Sequence, residues 1–434
     1  MPPRRRDCTL PCARRWQEPV GGAAKGGALR ARAGGGGAAA PGSGGVRVRW
    51  GRAEEAGFDD ERLERAFAVV GRACGGEAIP GAVVALGRRG VGVGPRAYGW
   101  AVRAPEAERR ATEPGTLFDL ASLTKVVGTA SAAWLLLERG LLRLEDRLAG
   151  LLPAFAGEQE GEGPGWRAAV TIRHLLTHTS GLPAGRNLRA VAGDRAARLA
   201  AVAATPLQAP PGERCVYSDL GFILLGWALE GVAGTDLPTL CQAGLFSPLG
   251  MAETTWTPGA ALAARAAATE WAEGEWAPGG RAGYVRGTVH DENARALGGV
   301  AGHAGLFSTA ADLAVFADAL RAGGAGGAPG GPVRRILSPV SVARLGEPLV
   351  VTDHDSRTLG WQGPGARSAP CGDLWSRRAF GHTGFTGTSL WVDPERDFWA
   401  VLLTNAVHMG RALGGPAVQR LRACFHNAAL AAIE

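Results

Sequence analysis

Lysine is nearly missing from this chain: of 47 basic residues, 45 are arginine, and the two lysines are Lys25 and Lys125. Neither is followed by Ser or Thr, so no phosphate-binding P-loop can be written. No GxSxG elbow occurs, which argues against an α/β-hydrolase, and no helical HExxH occurs, which leaves little basis for a zinc hydrolase. Seven cysteines (Cys8, Cys12, Cys74, Cys215, Cys241, Cys371 and Cys424) are scattered without a CxxC pair. Neither a disulfide framework nor a zinc knuckle is indicated, and most are expected to be buried as small hydrophobes. Long apolar runs are missing too: the longest, Val126 to Leu137, is interrupted by polar residues. It falls well short of the roughly 20 residues that span a bilayer.

What is present in bulk is a core. With 434 residues and 46% hydrophobic content, the chain can bury a large interior. The net charge of +7 invites a nucleic-acid reading, but residues 1 to 50 hold ten cations against Asp7 and Glu18. The remainder carries 37 cations and 38 anions, so the body is close to neutral and no nucleic-acid groove is expected. The arm over residues 1–45 is rich in glycine, alanine and arginine, too poor in large apolar residues to order itself against a core. It lacks the apolar stretch of a secretory signal, so a cytoplasmic location is the default expectation.

After the arm, GFDDERLERAFAVVGRACGG has apolar residues at helical spacing, and GAVVALGRRGVGVGPRAYGWA reads as two strands around a basic Gly turn. From Thr116 to about Arg286 the pattern is mostly helical with long loops. TSLWVDPERDFWAVLLTN reads as two strands joined by an acidic turn, Asp393 to Asp397, and a helix from about Gly415 to Ile433 closes the chain. The glycine tract 323–331 reads as a loop insertion. Strands at both ends of a helical middle predict an α/β domain from residues 46–118 plus 287–434, interrupted by a mainly helical domain over 119–286. The cleft between them is the natural place for a site.

The lysine sparsity then acquires meaning. A chain that has turned nearly every cation into arginine should keep lysine where arginine fails, and only lysine loses its proton readily when buried. Lys125 sits in DLASLTKVVG, three residues after Ser122, so the two share a helix face beside a helix N-terminus. A lysine whose pKa is lowered by burial and by the helix dipole would accept the Ser122 proton. Chance pairing remains a competitor, since serine is a common helix cap. Two further elements follow in order. Tyr217, one of only three tyrosines, enters an apolar helix through Ser218 and Asp219, one of which should cap that helix. GHTGFTG, with His382, Thr383, Gly384 and Phe385, precedes a strand. The backbone N–H groups of Ser122 and Phe385 are the expected oxyanion donors.

SLTK, YSD and HTG, in this order, resemble the serine β-lactamase and penicillin-binding-protein superfamily, especially its class C-like, D-alanyl-D-alanine carboxypeptidase-like and esterase branch. The resemblance covers about residues 46 to 430. It implies an antiparallel sheet flanked by helices with an inserted all-α domain, and it implies no cofactor. By position, Ser122 resembles the acylated nucleophile, Lys125 its activating base and Tyr217 the proton-shuttling phenol, while His382 resembles the donor near a substrate carboxylate. Two positions depart from the pattern: Asp219 replaces an asparagine and His382 a lysine. An acidic Asp219 would repel an anionic substrate and His382 would carry at most a partial charge, so β-lactamase activity is expected to be weak or absent. The expected function is hydrolysis of an ester or amide of a small-molecule or peptide acyl substrate through an acyl-enzyme at Ser122. The alternative is a non-catalytic ligand-binding or sensor relative. His178, His290 and His303, with Asp291 and Glu292, are expected to shape loops and cleft walls.

Overall fold

A computed structural model describes residues 48–274, 277, 280–327, 331–352, 356–365 and 371–434. The arm, with Cys8 and Cys12, lies outside the described residues, and so does part of the 323–331 tract. The described residues belong to one unit, Gly45–Glu434.

At its centre is a seven-stranded sheet. Its strands are β1 (Arg49–Trp50), β2 (Gly81–Arg88), β3 (Val91–Val102), β4 (Arg110–Ala111), β5 (Phe380–Thr383), β6 (Ser389–Asp393) and β7 (Phe398–Thr404). The order across the sheet is β1–β3–β2–β7–β6–β5, with β4 also on β3. All of these pairings are antiparallel except β1 with β3, which is parallel, so the sheet is mixed rather than purely antiparallel.

The strand sequences read as continuous apolar runs because both faces are covered. Val83 and Ala85 of β2 and Trp399, Val401 and Leu403 of β7 enter one core, which they share with the helical middle of the chain. The alternate residues Ala82, Val84 and Leu86 with Phe398, Ala400 and Leu402 enter a second core. That second core is roofed by helix α1 (Asp60–Cys74) and by the last helix of the chain, Arg411–Leu430. Asp59 caps α1 by accepting from the Arg62 N–H at 2.8 Å. The basic turn is Arg89–Gly90, with φ of 54° and 75°, the double left-handed geometry of a tight hairpin. In the acidic turn the buried Asp393 carboxylate accepts from the N–H groups of Glu395 and Arg396.

Between the sheet's two halves come short helices. The segment after Ser122 is π-helical over Lys125–Ala130 and continues as α2 (Ser131–Glu138). Helix α3 (Asp219–Ala233) is capped by Ser218, which accepts from the Gly221 N–H at 3.2 Å, and α4 (Ala310–Arg321) packs on the sheet. The last helix, α5 (Arg411–Leu430), starts four residues before the expected Gly415, with Pro416 in its second turn. Within the glycine tract, Ala325–Gly326 pair antiparallel with Arg334–Arg335, so part of the expected loop is a small ribbon. Cys74, Cys241 and Cys371 are buried and free, while Cys215 and Cys424 are half-buried.

Candidate active site

The chain turns sharply at Ser122, just ahead of the helix that carries Lys125. Ala121, just before it, has φ of 46°, a left-handed value that costs a non-glycine residue of order 1 kcal/mol or more. Two anchors hold that turn. The buried Asp119 carboxylate accepts from the Ala121 N–H at 2.8 Å and the His290 N–H at 2.6 Å. The hydroxyls of Thr386 and Thr388 donate to the carbonyls of Asp119 and Leu120 at 2.8 and 2.9 Å. The second anchor ties the loop after β5 directly to the turn that presents Ser122. Gly384 lies at their contact, where a Cβ would overlap Thr388 Oγ1 and the Leu120 carbonyl.

Lys125 is completely buried. Its Nζ donates to Ser122 Oγ at 3.0 Å and to the His303 carbonyl at 3.1 Å, and it lies 2.7 Å from Asp219 Oδ1 as an ion pair whose angle is off-line for a hydrogen bond. The His303 carbonyl reaches it because Gly302 packs against α3, where a Cβ would overlap the Phe222 carbonyl, and because Thr129 Oγ1 donates to the Gly302 carbonyl at 2.6 Å. This corrects the expected direction of the lysine pKa. Burial alone would lower it, but the Asp219 carboxylate, with Tyr217 behind it, outweighs burial and raises it. Lys125 therefore rests as an ammonium.

Asp219 also differs from expectation. Its charge is spent on Lys125 rather than projected at a substrate, and it is not among the residues that line the cavity at Ser122.

Tyr217 lies beside the pair, its ring centroid 4.8 Å from Lys125 Nζ, and its buried hydroxyl has no hydrogen-bond partner among the described residues. His178 fixes this segment. Its ring lies 4.6 Å from that of Tyr217, its Nδ1 accepts from the Ser218 N–H at 3.0 Å, and its carbonyl accepts from the Val216 N–H at 2.9 Å. Burial first, then Arg357 and Lys125, pushes the His178 pKa well below the ordinary histidine value, so the ring is neutral.

His382 is neutral for the same reasons, burial first and Arg357 second. The 2.7 Å contact of its Nδ1 with the Thr383 carbonyl requires the proton on Nδ1, which leaves Nε2 as an acceptor 3.4 Å from Arg357 Nη1. The expected partial charge on His382 is thus replaced by a neutral imidazole, and the cation at this place is Arg357. Arg422 of α5 adds a second. It is buried and donates to the carbonyls of Gly384 and Thr388 at 2.7 and 2.9 Å, and burial lowers its pKa to about 9. Sequence reasoning missed both: among 45 arginines nothing marked these two.

Ser122, Tyr217, His382, Thr383, Gly384 and Phe385 come together around one cavity of 340 Å³, whose far wall is Arg357, Gln362, Arg411 and the first half of α5. Neither the Ser122 nor the Phe385 N–H meets a backbone acceptor among the described residues. Phe385 is 57% exposed at the rim, stacked on His290 with Arg411 above it. His290 and His303 stand behind the cavity, His290 Nε2 3.1 Å from Glu270 and His303 Nε2 2.9 Å from Asp291, the residue that caps the helix Glu292–Ala296. A serine hydroxyl on an ammonium, a buried free phenol and unused N–H groups at the same cavity are the parts of an acyl-transfer site.

Comparison with known proteins follows the same line. The family model described as Beta-lactamase matches residues 62–423. The chain is 33% identical over 314 residues to an Escherichia coli K12 protein described as "Putative D-alanyl-D-alanine carboxypeptidase", covering 68% of this chain and 70% of that one. It is 31% identical over 380 residues to an N-acetylmuramyl-L-alanine amidase of Bacillus subtilis 168, covering 82% and 83%. In fold it matches a penicillin-binding protein homologue from Caulobacter crescentus with a TM-score of 0.65 at 22% identity, over 86% of this chain and 99% of that one.

Proposed function

Because this chain belongs to the beta-lactamase family and is a serine hydrolase, we propose that Ser122 is its nucleophile and that its substrates are peptides whose leaving group carries a carboxylate. The observation that supports this most is the charge of the cavity. Arg357, Arg411 and Arg422 line the cavity together with Ser122, no carboxylate among the described residues lines it, and Asp219 is paired to Lys125. A planar guanidinium suits a carboxylate, whereas a neutral ester needs no such partner. A D-alanyl-D-alanine peptide, the substrate named for the Escherichia coli relative, carries that carboxylate on its leaving residue.

In this reading Ser122 Oγ attacks the carbonyl carbon and its proton leaves toward Lys125. The N–H groups of Ser122 and Phe385 hold the oxyanion, and the partnerless Tyr217 hydroxyl protonates the departing amine. Water then attacks the acyl-enzyme.

The test is a pair of substrates: an acyl-D-alanyl-D-alanine and the same peptide with its C-terminal carboxylate amidated. A fluorophosphonate adduct located on Ser122 by mass spectrometry establishes the nucleophile independently. The amidated peptide should react at least about tenfold more slowly, the size of one lost charged hydrogen bond. Equal rates for the two peptides would overturn the carboxylate assignment, and labelling at any residue other than Ser122 would overturn the nucleophile.

A further inference from the structure

Besides the Tyr217 phenol beside it, which already carries its own proton for the leaving group, Lys125 has three polar neighbours within reach, and an ammonium has three protons to give. Two of the neighbours cannot take a proton during attack: the His303 carbonyl is an amide oxygen, and Ser122 Oγ is the atom that must lose its own. The third is a carboxylate, Asp219 Oδ1 at 2.7 Å, on a side chain 31% exposed. We propose that Asp219 is the terminal proton acceptor of the acylation step, acting through Lys125, so that the lysine passes a proton rather than beginning as a neutral base. This rests on Ser122 being the nucleophile.

The step balances as follows. The Ser122 Oγ–H bond breaks as the Oγ–C bond forms, and the carbonyl π pair moves onto oxygen. The Ser122 proton goes to Lys125 Nζ while the 2.7 Å Lys125–Asp219 ion pair swings into line and one Nζ proton goes to Asp219 Oδ1. Lys125 is an ammonium before and after, and Asp219 changes from carboxylate to carboxylic acid. When the tetrahedral intermediate collapses, the bond to the leaving group breaks. The leaving group takes the Tyr217 proton, which the Asp219 acid replaces through Lys125, and the starting state returns. No charge is created on a completely buried amine at any point, which a neutral-lysine route cannot avoid. Sequence carries the same hint, since the resembled pattern has an asparagine at this position, and an amide cannot take the proton.

The titratable and charged groups facing this pair are Tyr217 on its own segment, His178 and His382 against the Tyr217 ring, Arg357, and Asp291 with His303. His178 and His382 are held neutral and Asp291 is held ionised well below the usual carboxylate range, by His303 and Lys125 against burial. They contribute no titration near neutrality.

The experiment is the pH dependence of the acylation burst with an activated ester, once Ser122 labelling has been verified. A relay that starts from an ammonium needs no deprotonated lysine, so the wild-type rate should be flat from about pH 6 to about pH 8.5. A mechanism needing neutral lysine would instead climb about tenfold per pH unit across that range. Asp219→Asn should lose at least about 100-fold at pH 7 and acquire the climbing profile. The same flat profile is expected in His303→Gln, which removes the side chain paired to Asp291. A climbing wild-type profile, or an Asp219→Asn enzyme faster than wild type at pH 7, would overturn the relay while leaving Ser122 as nucleophile. The wild-type profile decides the matter even if the variant does not fold.

Discussion

Replacing Lys125 with methionine should separate stability from activity. The lysine is completely buried, and its ammonium is compensated by one carboxylate and two neutral acceptors. Breaking a buried ion pair by removing one partner costs about 3 to 5 kcal/mol when the orphan stays buried. Here the orphan is Asp219, whose side chain is 31% exposed and can recruit water, so the cost is discounted. Against it stands the relief of no longer burying an ammonium, and methionine fills nearly the same volume. The two terms are similar in size, so Lys125→Met should unfold within about 2 kcal/mol of wild type. Activity behaves differently. Without Nζ the Ser122 proton has no route to Asp219, and acid–base assistance of this kind contributes about 100- to 10,000-fold, or about 3 to 5 kcal/mol of barrier. The assay is the acylation burst with an activated ester, with adduct formation on Ser122 followed by mass spectrometry and stability by urea unfolding. Wild-type-like acylation in a folded Lys125→Met protein would refute the role of the lysine. Loss of the fold itself would refute the balance of terms worked out above.

Gly384→Ala would place a methyl against Thr388 Oγ1 and the Leu120 carbonyl, forcing apart the loop after β5 and the turn that presents Ser122. The expected result is a fall in kcat/KM of at least about tenfold from the displaced N–H donors, with far-UV circular dichroism unchanged. Glu270 is held by His290 and Arg411 at a pKa of about 2 despite the opposing effect of burial. A carboxylate depressed on folding contributes stability above its unfolded value and loses it as pH falls from about 4.5 through about 2. Glu270→Gln should therefore lower Tm at pH 7 and leave it unchanged near pH 2, and an equal loss at both pH values would count against these ion pairs.

The sheet was legible because its strands are buried on both faces and so stand out as apolar runs closed by turns with their own chemistry, Arg89–Gly90 and Asp393–Asp397. The helix after Asp59 was legible for a different reason, a polar cap followed by one apolar face at helical spacing, Leu63, Ala66, Phe67, Val70 and Cys74. The parallel edge strand Arg49–Trp50 was not, since two residues carry no period. The site was half legible. Ser122, Lys125, Tyr217 and the 382–385 loop carry local spacing signals, and the structure brings them to one place. Arg357 and Arg422 carry none, because their meaning is purely tertiary: one reaches His382 from a strand 25 residues earlier, the other reaches Gly384 from the last helix.

The two departures from the resembled pattern, Asp219 and His382, make physical sense as a pair rather than as two losses. Putting an acid at 219 neutralises Lys125 and alone would leave the cavity without a net cation. Exchanging the lysine of the third motif for a neutral histidine would deepen that deficit. Arg357 against His382 Nε2 and Arg422 behind Gly384 restore positive charge on the side where a leaving-group carboxylate would lie. On the proposed relay, substrate attraction and proton movement, which one lysine could serve together, are divided: arginines face the anion, and Lys125, Asp219 and Tyr217 move the proton. The single lysine in the described chain is left where a transferable proton is needed and arginine could not supply one.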